Sequence, residues 1–189
     1  MNPSEYIINE MNEHMRLTQA CLDTLHLEIL KAADICLEAV RSRHTIFLFG
    51  NGGSAADASH IAAEFTGRYQ LDRKGLPAIC LNADPAVITS ISNDFGYDQV
   101  YARQLDALAR KGDVCIGITT SGRSANVTIA LEKAALIGCH TIGLTGREGG
   151  EIVSLCNLSL IVPSQVTSRI QEMHILIGHM ICHLVESRL

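Results

Sequence analysis

The sequence predicts an α/β fold in which a parallel sheet is covered by helices on both faces. Three observations predict it. Five short apolar runs, each closing on polar residues or glycine, recur along the chain beyond residue 43. Helical patterns separate the runs, and strands that alternate with helices pair in parallel. A parallel sheet of this kind is covered on both faces, as short apolar strands require.

The elements follow in order. Residues 4–42 carry apolar side chains at helical spacing, Tyr6, Ile7, Met11 and Met15, then Leu22, Leu25, Ile29, Leu30, Ala33, Leu37 and Val40. No Pro or Gly interrupts them after Pro3, so the stretch is two helices or one long bent one. The strand candidates are HTIFLFG (44–50), LPAICLN (76–82), DVCIGITT (113–120), CHTIGLTG (139–146) and NLSLIVP (157–163). Helical patterns lie near 53–66, 84–92, 97–110, 124–137 and 148–154, and a last helix runs from about 167 to 187. The expectation is one domain over 1–189, with 1–42 as an N-terminal helical region that packs in an oligomer.

Composition narrows the class. With 189 residues, 47% hydrophobic and 19% charged, the chain can bury a core and is not disordered. Fifteen basic against twenty acidic residues leave a net charge of −5, so nothing marks a nucleic-acid surface. No apolar run approaches the ~20 residues that cross a bilayer, and the start, MNPSEYIINEMNEHMR, lacks the apolar core of a signal peptide. A cytoplasmic protein with no membrane partner is expected. Seven cysteines are scattered and never spaced CxxC, which suits small hydrophobes better than a disulfide or thiolate framework. HMICH (179–183) lacks the first cysteine of a haem attachment motif.

Ligands of open parallel sheets bind outside the carboxyl ends of the strands. The loops there are GNGGSAAD, NADPAV, TTSGRSAN, TGREGG and PSQVTSR. GNGGS (50–54) can turn its backbone N–H groups towards an anion, with the following helix adding its positive end. Gly50, Gly52 and Ala55 also meet the loose dinucleotide pattern G-x-G-x-x-G/A. TTSGRSAN (119–126) argues against a dinucleotide, because Thr119, Thr120, Ser121 and Ser124 around a glycine suit one terminal phosphate. A helix cap would account for Ser124 alone, and without G-K-[ST] the loop is no P-loop.

Two helices carry the remaining chemistry. His60 and Glu64 share a face at i, i+4 on the helix after GNGGS, either as an exposed pair or as site residues, and Arg68 follows on that face. The last helix places His174, His179 and His183 among Ile, Leu and Met. Gln171 and His179 lie eight residues apart, ~12 Å of rise, so they meet one ligand from above and below or from different subunits. The second arrangement is the expectation, since long apolar helices at both chain ends invite bundling. Asn93–Asp94, before FGYD, reads as a turn after a helix that can supply ligand hydrogen bonds.

GNGGSAADASHIAAEFTGR, SNDFGYD, GITTSGRSANV, GLTGREGG and RIQEMHILIGH, in this order, resemble the sugar-isomerase (SIS) domain family, and within it the isomerases of seven-carbon sugar phosphates. The resemblance runs from about residue 44 to the C-terminus. It implies a three-layer αβα sandwich around a five-stranded parallel sheet, and a homotetramer with active sites between subunits. It assigns substrate contacts to Asn51, Gly52, Gly53, Glu64, Asn93, Asp94, Thr119, Thr120, Ser121, Ser124 and Gln171. It also assigns one zinc ion per subunit to His60, Glu64, Gln171 and His179. The phosphate loop departs from the family's STSGNS by reading TTSGRS, which keeps the hydroxyl at Thr119 and puts a cation at Arg123.

The reaction so implied is an aldose–ketose isomerisation, D-sedoheptulose 7-phosphate to D-glycero-D-manno-heptose 7-phosphate, the first step towards heptose nucleotide precursors. Glu64 is then the expected base and His179 the expected acid. Three readings compete: a non-catalytic adaptor that binds a replication initiator, a sugar-phosphate sensor, and an isomerase of another phosphosugar. The adaptor relatives lack the carboxylate and second histidine that stand here as Glu64 and His179.

Overall fold

The computed structural model describes residues 2–189. Five parallel strands, β1 (Ile46–Gly50), β2 (Ala78–Cys80), β3 (Val114–Thr119), β4 (His140–Gly146) and β5 (Leu158–Val162), form one sheet in the order β2-β1-β3-β4-β5. Successive side chains of a strand point to opposite faces, and β1 divides accordingly. Ile46 and Leu48 enter one apolar core, Phe47 and Phe49 the other. The first core is closed by α1 (Pro3–Arg41), α2 (Gly53–Thr66) and α6 (Thr167–Glu186), the second by α4 (Ala102–Leu108) and α5 (Ala125–Ile137). These layers are the three-layer sandwich expected.

The long N-terminal stretch is one helix of 39 residues, capped by the Asn2 side chain on the Ser4 N–H. Its buried residues run from Leu17 to Val40, and nearer the N-terminus the helix meets α6 through polar contacts, Arg169 donating to the Glu10 carbonyl at 2.7 Å and His14 meeting Glu172 at 2.7 Å. In the first half Tyr6, Ile7, Met11 and Met15 stay exposed, Met11 to 64%.

Three expectations shift. The helix placed at 84–92 is α3 (Pro85–Phe95), which continues to a glycine stop at Gly96, so Asn93 and Asp94 are in its last turn and not beyond it. The pattern at 97–110 splits into a 3-10 turn, Tyr97–Gln99, and α4. At 148–154 only a 3-10 turn, Glu151–Ser154, forms, because Gly149 and Gly150 adopt φ of +87° and +65°, which no helix accommodates. No helix of the described residues is long and apolar enough to cross a membrane. All seven cysteines are free, and burial pushes the thiols of Cys36, Cys156 and Cys182 up to about 12, so they stay protonated.

Candidate active site

In a sheet of order 2-1-3-4-5 the chain leaves β1 towards one edge and β3 towards the other, opening a crevice outside their carboxyl ends. A cleft of about 320 Å³ lies there. Asn51, Gly52, Gly53, Thr119, Thr120, Ser121, Ser124 and Gln171 line it, as the sequence suggests, together with Ser54 and Thr167.

Three helix N-termini meet at this cleft: α2 at Gly53, α5 after Ser124 and α6 at Thr167. None carries a side-chain cap, whereas α1 and α3 are capped by Asn2 and Asp84. The first N–H groups of a helix have no partner inside it, so each uncapped end offers donors and the positive end of its dipole. Ser124 occupies the cap position of α5 but bonds the Thr119 hydroxyl at 2.9 Å instead of capping. Such a cradle of donors suits a phosphate dianion. Arg123 is exposed and its guanidinium has no partner among the described residues.

The loops are held by contacts absent from any local pattern. Asn51 and Asn126 exchange amide hydrogen bonds at 2.8 and 2.9 Å, and Tyr97 donates its hydroxyl to Asn51 Oδ1 at 2.9 Å. Tyr101, fully buried, reaches the Gly50 carbonyl and accepts from Asn82 at 2.7 Å. The Asn51 amide is thus largely committed to its neighbours. TGREGG is a buttress: the Glu151 N–H donates to the Gly122 carbonyl at 2.8 Å, and the backbones pack so tightly that a Cβ on Gly122 would lie 1.9 Å from the Gly149 oxygen. With φ of +66° at Gly122, Gly122→Ala should cost roughly 1–3 kcal/mol from backbone strain before any clash is counted. A lower urea midpoint and weaker inorganic phosphate binding, read by equilibrium unfolding and calorimetry, are the expected outcomes.

A second group lies further along α2 and α6. Donor atoms of His60, Glu64 and His179 all lie within 4.8 Å of one another. His60 Nε2 stands 3.2 Å from Glu64 Oε1 and 3.4 Å from His179 Nε2. Two imidazole nitrogens and a carboxylate oxygen form a donor set that zinc accepts, so these residues fit a metal ion. The three come from one chain. Gln171 lies two turns earlier on α6, where a Cβ on Gly53 would be 2.4 Å from its Nε2. Gly178 faces Ile61 in the same way, so α2 and α6 run side by side in parallel.

The other sequence candidates fall elsewhere. His174 is a core residue: it is fully buried, burial pulls its pKa down to about 4, and its Nε2–H donates to the Thr145 carbonyl at 3.1 Å. His183 is exposed, near Tyr69. Arg68 is exposed and pairs with nothing among the described residues. Asn93 and Asp94 are exposed, bonded to each other at 2.9 Å, and outside the cleft lining.

This parallel αβα sheet, with a cleft of backbone and hydroxyl donors at its switch point, is that of an SIS domain, whose family model matches residues 11–146. Proteins named phosphoheptose isomerase from a Nitratiruptor species and from Aliarcobacter butzleri are 50% and 51% identical, over 96% and 97% of this chain and 97% of each relative. The solved phosphoheptose isomerase of Neisseria gonorrhoeae superposes with a TM-score of 0.92 at 41% identity, covering 97% of this chain and 98% of that one. The chain belongs to the phosphoheptose isomerase family.

Proposed function

We infer that the protein is an aldose–ketose isomerase that converts D-sedoheptulose 7-phosphate to D-glycero-D-manno-heptose 7-phosphate. One observation carries the reading: the phosphate cradle and the His60–Glu64–His179 group sit on the same two helices at a separation that a seven-carbon sugar phosphate spans. From Gly53 to His60 α2 rises ~10 Å, and from Gln171 to His179 α6 rises ~12 Å. An extended chain of seven carbons joined by ~1.5 Å bonds reaches roughly 8 Å, and its terminal phosphate extends it further. The adaptor reading gains no support from a site that keeps both Glu64 and His179.

The cradle binds the phosphate and fixes the register of the sugar, so that only C1 and C2 reach the second group. Glu64 removes a proton from C1 while His179 donates one to the C2 carbonyl oxygen, giving an enediol. Loss of the proton on O1 and return of a proton to C2 then leave the aldehyde at C1. No atom is gained or lost. His60, Glu64 and His179 of one chain would hold zinc, with Gln171, which lies ~12 Å along α6 from His179, reaching the site from across a subunit boundary; when bound, zinc supplies a Lewis acid for the carbonyl and hydroxyl oxygens. Asn93 and Asp94, which stand outside this cleft, enter the reading as substrate contacts from across a subunit boundary.

The assembly we propose is a cytoplasmic homotetramer with active sites between subunits. The exposed apolar first half of α1 supports it, as does an apolar groove of about 390 Å³ lined by Leu22, Leu30, Met173, Leu176 and Met180. The product feeds heptose nucleotide precursors for lipopolysaccharide core or another surface glycan.

Metal dependence tests the reading. Purified protein given sedoheptulose 7-phosphate should turn over as isolated, lose at least about tenfold in rate after chelation, and recover with zinc. A rate indifferent to chelation, in protein shown by elemental analysis to be metal-free, would remove zinc from the account. No turnover in any state of a folded protein would remove the isomerase.

A further inference from the structure

We propose that the segment 67–76 is a positioning strap for the proton-transfer centre, and that Tyr69 is the residue that sets the plane of His179; the proposal rests on reading His60, Glu64 and His179 as that centre. The Tyr69 ring stacks on the His179 imidazole with centroids 5.4 Å apart and planes 23° from parallel. The other neighbour of that imidazole is His60, edge-on at 4.9 Å and 77°. His179 is therefore held between a flat aromatic wall and a fellow donor. A histidine on a helix otherwise turns about two side-chain bonds, and among the described residues His179 donates no hydrogen bond to a carbonyl or carboxylate that would orient it.

The strap is fastened to both helices that supply the donors. Glu186, seven residues beyond His179 and hence on the same face of α6, is inaccessible to solvent. Its carboxylate accepts the consecutive backbone N–H groups of Tyr69, Gln70 and Leu71 at 3.0, 2.8 and 2.6 Å. It also accepts Arg73 Nε at 2.8 Å. The same guanidinium donates to the carbonyl oxygens of Glu64 at 2.9 Å and Phe65 at 3.0 Å, at the carboxyl end of α2. One ion pair thus binds the end of α2, the end of α6 and the loop that carries Tyr69. Misplacing a proton-transfer group by about 1 Å can cost ~10²-fold in rate, and this geometry prevents that error at His179.

Tyr69→Leu and Tyr69→Phe test the proposal, the first keeping an apolar side chain against the core and the second keeping the ring. Zinc affinity, by competition with a chromophoric chelator, is read beside kcat and KM for sedoheptulose 7-phosphate. Tyr69→Leu should bind zinc about 10–100-fold more weakly and lose a similar factor in kcat, with KM within about twofold because the phosphate cradle is untouched. Tyr69→Phe should match the wild type in both. Wild-type zinc affinity and kcat in Tyr69→Leu would overturn the proposal, as would a loss confined to KM or equal impairment of the two variants. A wild type that neither binds zinc nor isomerises would instead overturn the functional reading, and this proposal with it.

Discussion

Glu64→Gln is expected to lower kcat by about 10²–10⁴-fold, the usual contribution of a positioned general base. Gln is nearly isosteric with Glu, so α2, its contact with His60 and the strap at the Glu64 carbonyl should all persist. What disappears is the carboxylate, both as the group that takes a proton from carbon and as a charged donor in the proposed zinc set. Phosphate binding should survive, because Glu64 is absent from the cleft lining and lies three turns beyond Gly53. Steady-state assays paired with calorimetric titration of inorganic phosphate separate the two effects. Simultaneous loss of turnover and phosphate binding would make Glu64 a structural residue and end its role as base.

Glu186→Gln carries the largest expected loss of stability. The carboxylate is buried and meets four donors, three of them backbone N–H groups. An amide there turns an NH₂ towards groups that can only donate and leaves Arg73 without its counter-charge. Breaking a buried ion pair from one side costs roughly 3–5 kcal/mol. The effect depends on pH in a defined direction. Burial alone would raise the Glu186 pKa, but the N–H groups of Leu71, Gln70 and Tyr69 and the Arg73 charge outweigh it and pull it from 4.5 to about 2. Between those values the unfolded chain binds the proton that the folded one refuses, so the stabilisation is complete above pH 4.5 and is lost as the pH falls towards 2. The difference in unfolding free energy between wild type and Glu186→Gln should therefore be wide near neutral pH and narrow across that window. A difference that stays constant with pH would contradict the charged anchor.

What the sequence made legible follows from the range of the contacts involved. The strands and α2, α5 and α6 announce themselves through local apolar patterning, and the phosphate loops through hydroxyls and glycines crowded at strand ends. His60 and Glu64 are legible because a helix converts a spacing of four into adjacency. His179 joins them because α2 and α6 run in parallel, a tertiary fact that no window of sequence contains. One chain assembles the three-residue group by itself, whereas Gln171, ~12 Å along α6 from His179, would join the proposed zinc set only from another subunit. The strap was hidden for the same reason: Glu186 meets Tyr69, Gln70 and Leu71 across 117, 116 and 115 residues. The pairing of Asn51 with Asn126 spans 75 residues. Tyr97 and Tyr101 did leave a trace, since two tyrosines four apart just after the Asn93–Asp94 turn of α3 lie on one side of the chain beneath the first glycine loop. The misplaced helix at 148–154 had its warning in Gly149–Gly150, whose left-handed backbone serves the buttress on Gly122.

The central claim is that one cleft isomerises a seven-carbon sugar phosphate, and following the reaction from both sides by ³¹P and ¹H NMR tests it most directly. Purified protein should carry pure sedoheptulose 7-phosphate and pure heptose 7-phosphate to the same ketose–aldose mixture, while the sugar lacking phosphate reacts far more slowly. Folded, zinc-loaded protein that leaves both phosphates unchanged would contradict it.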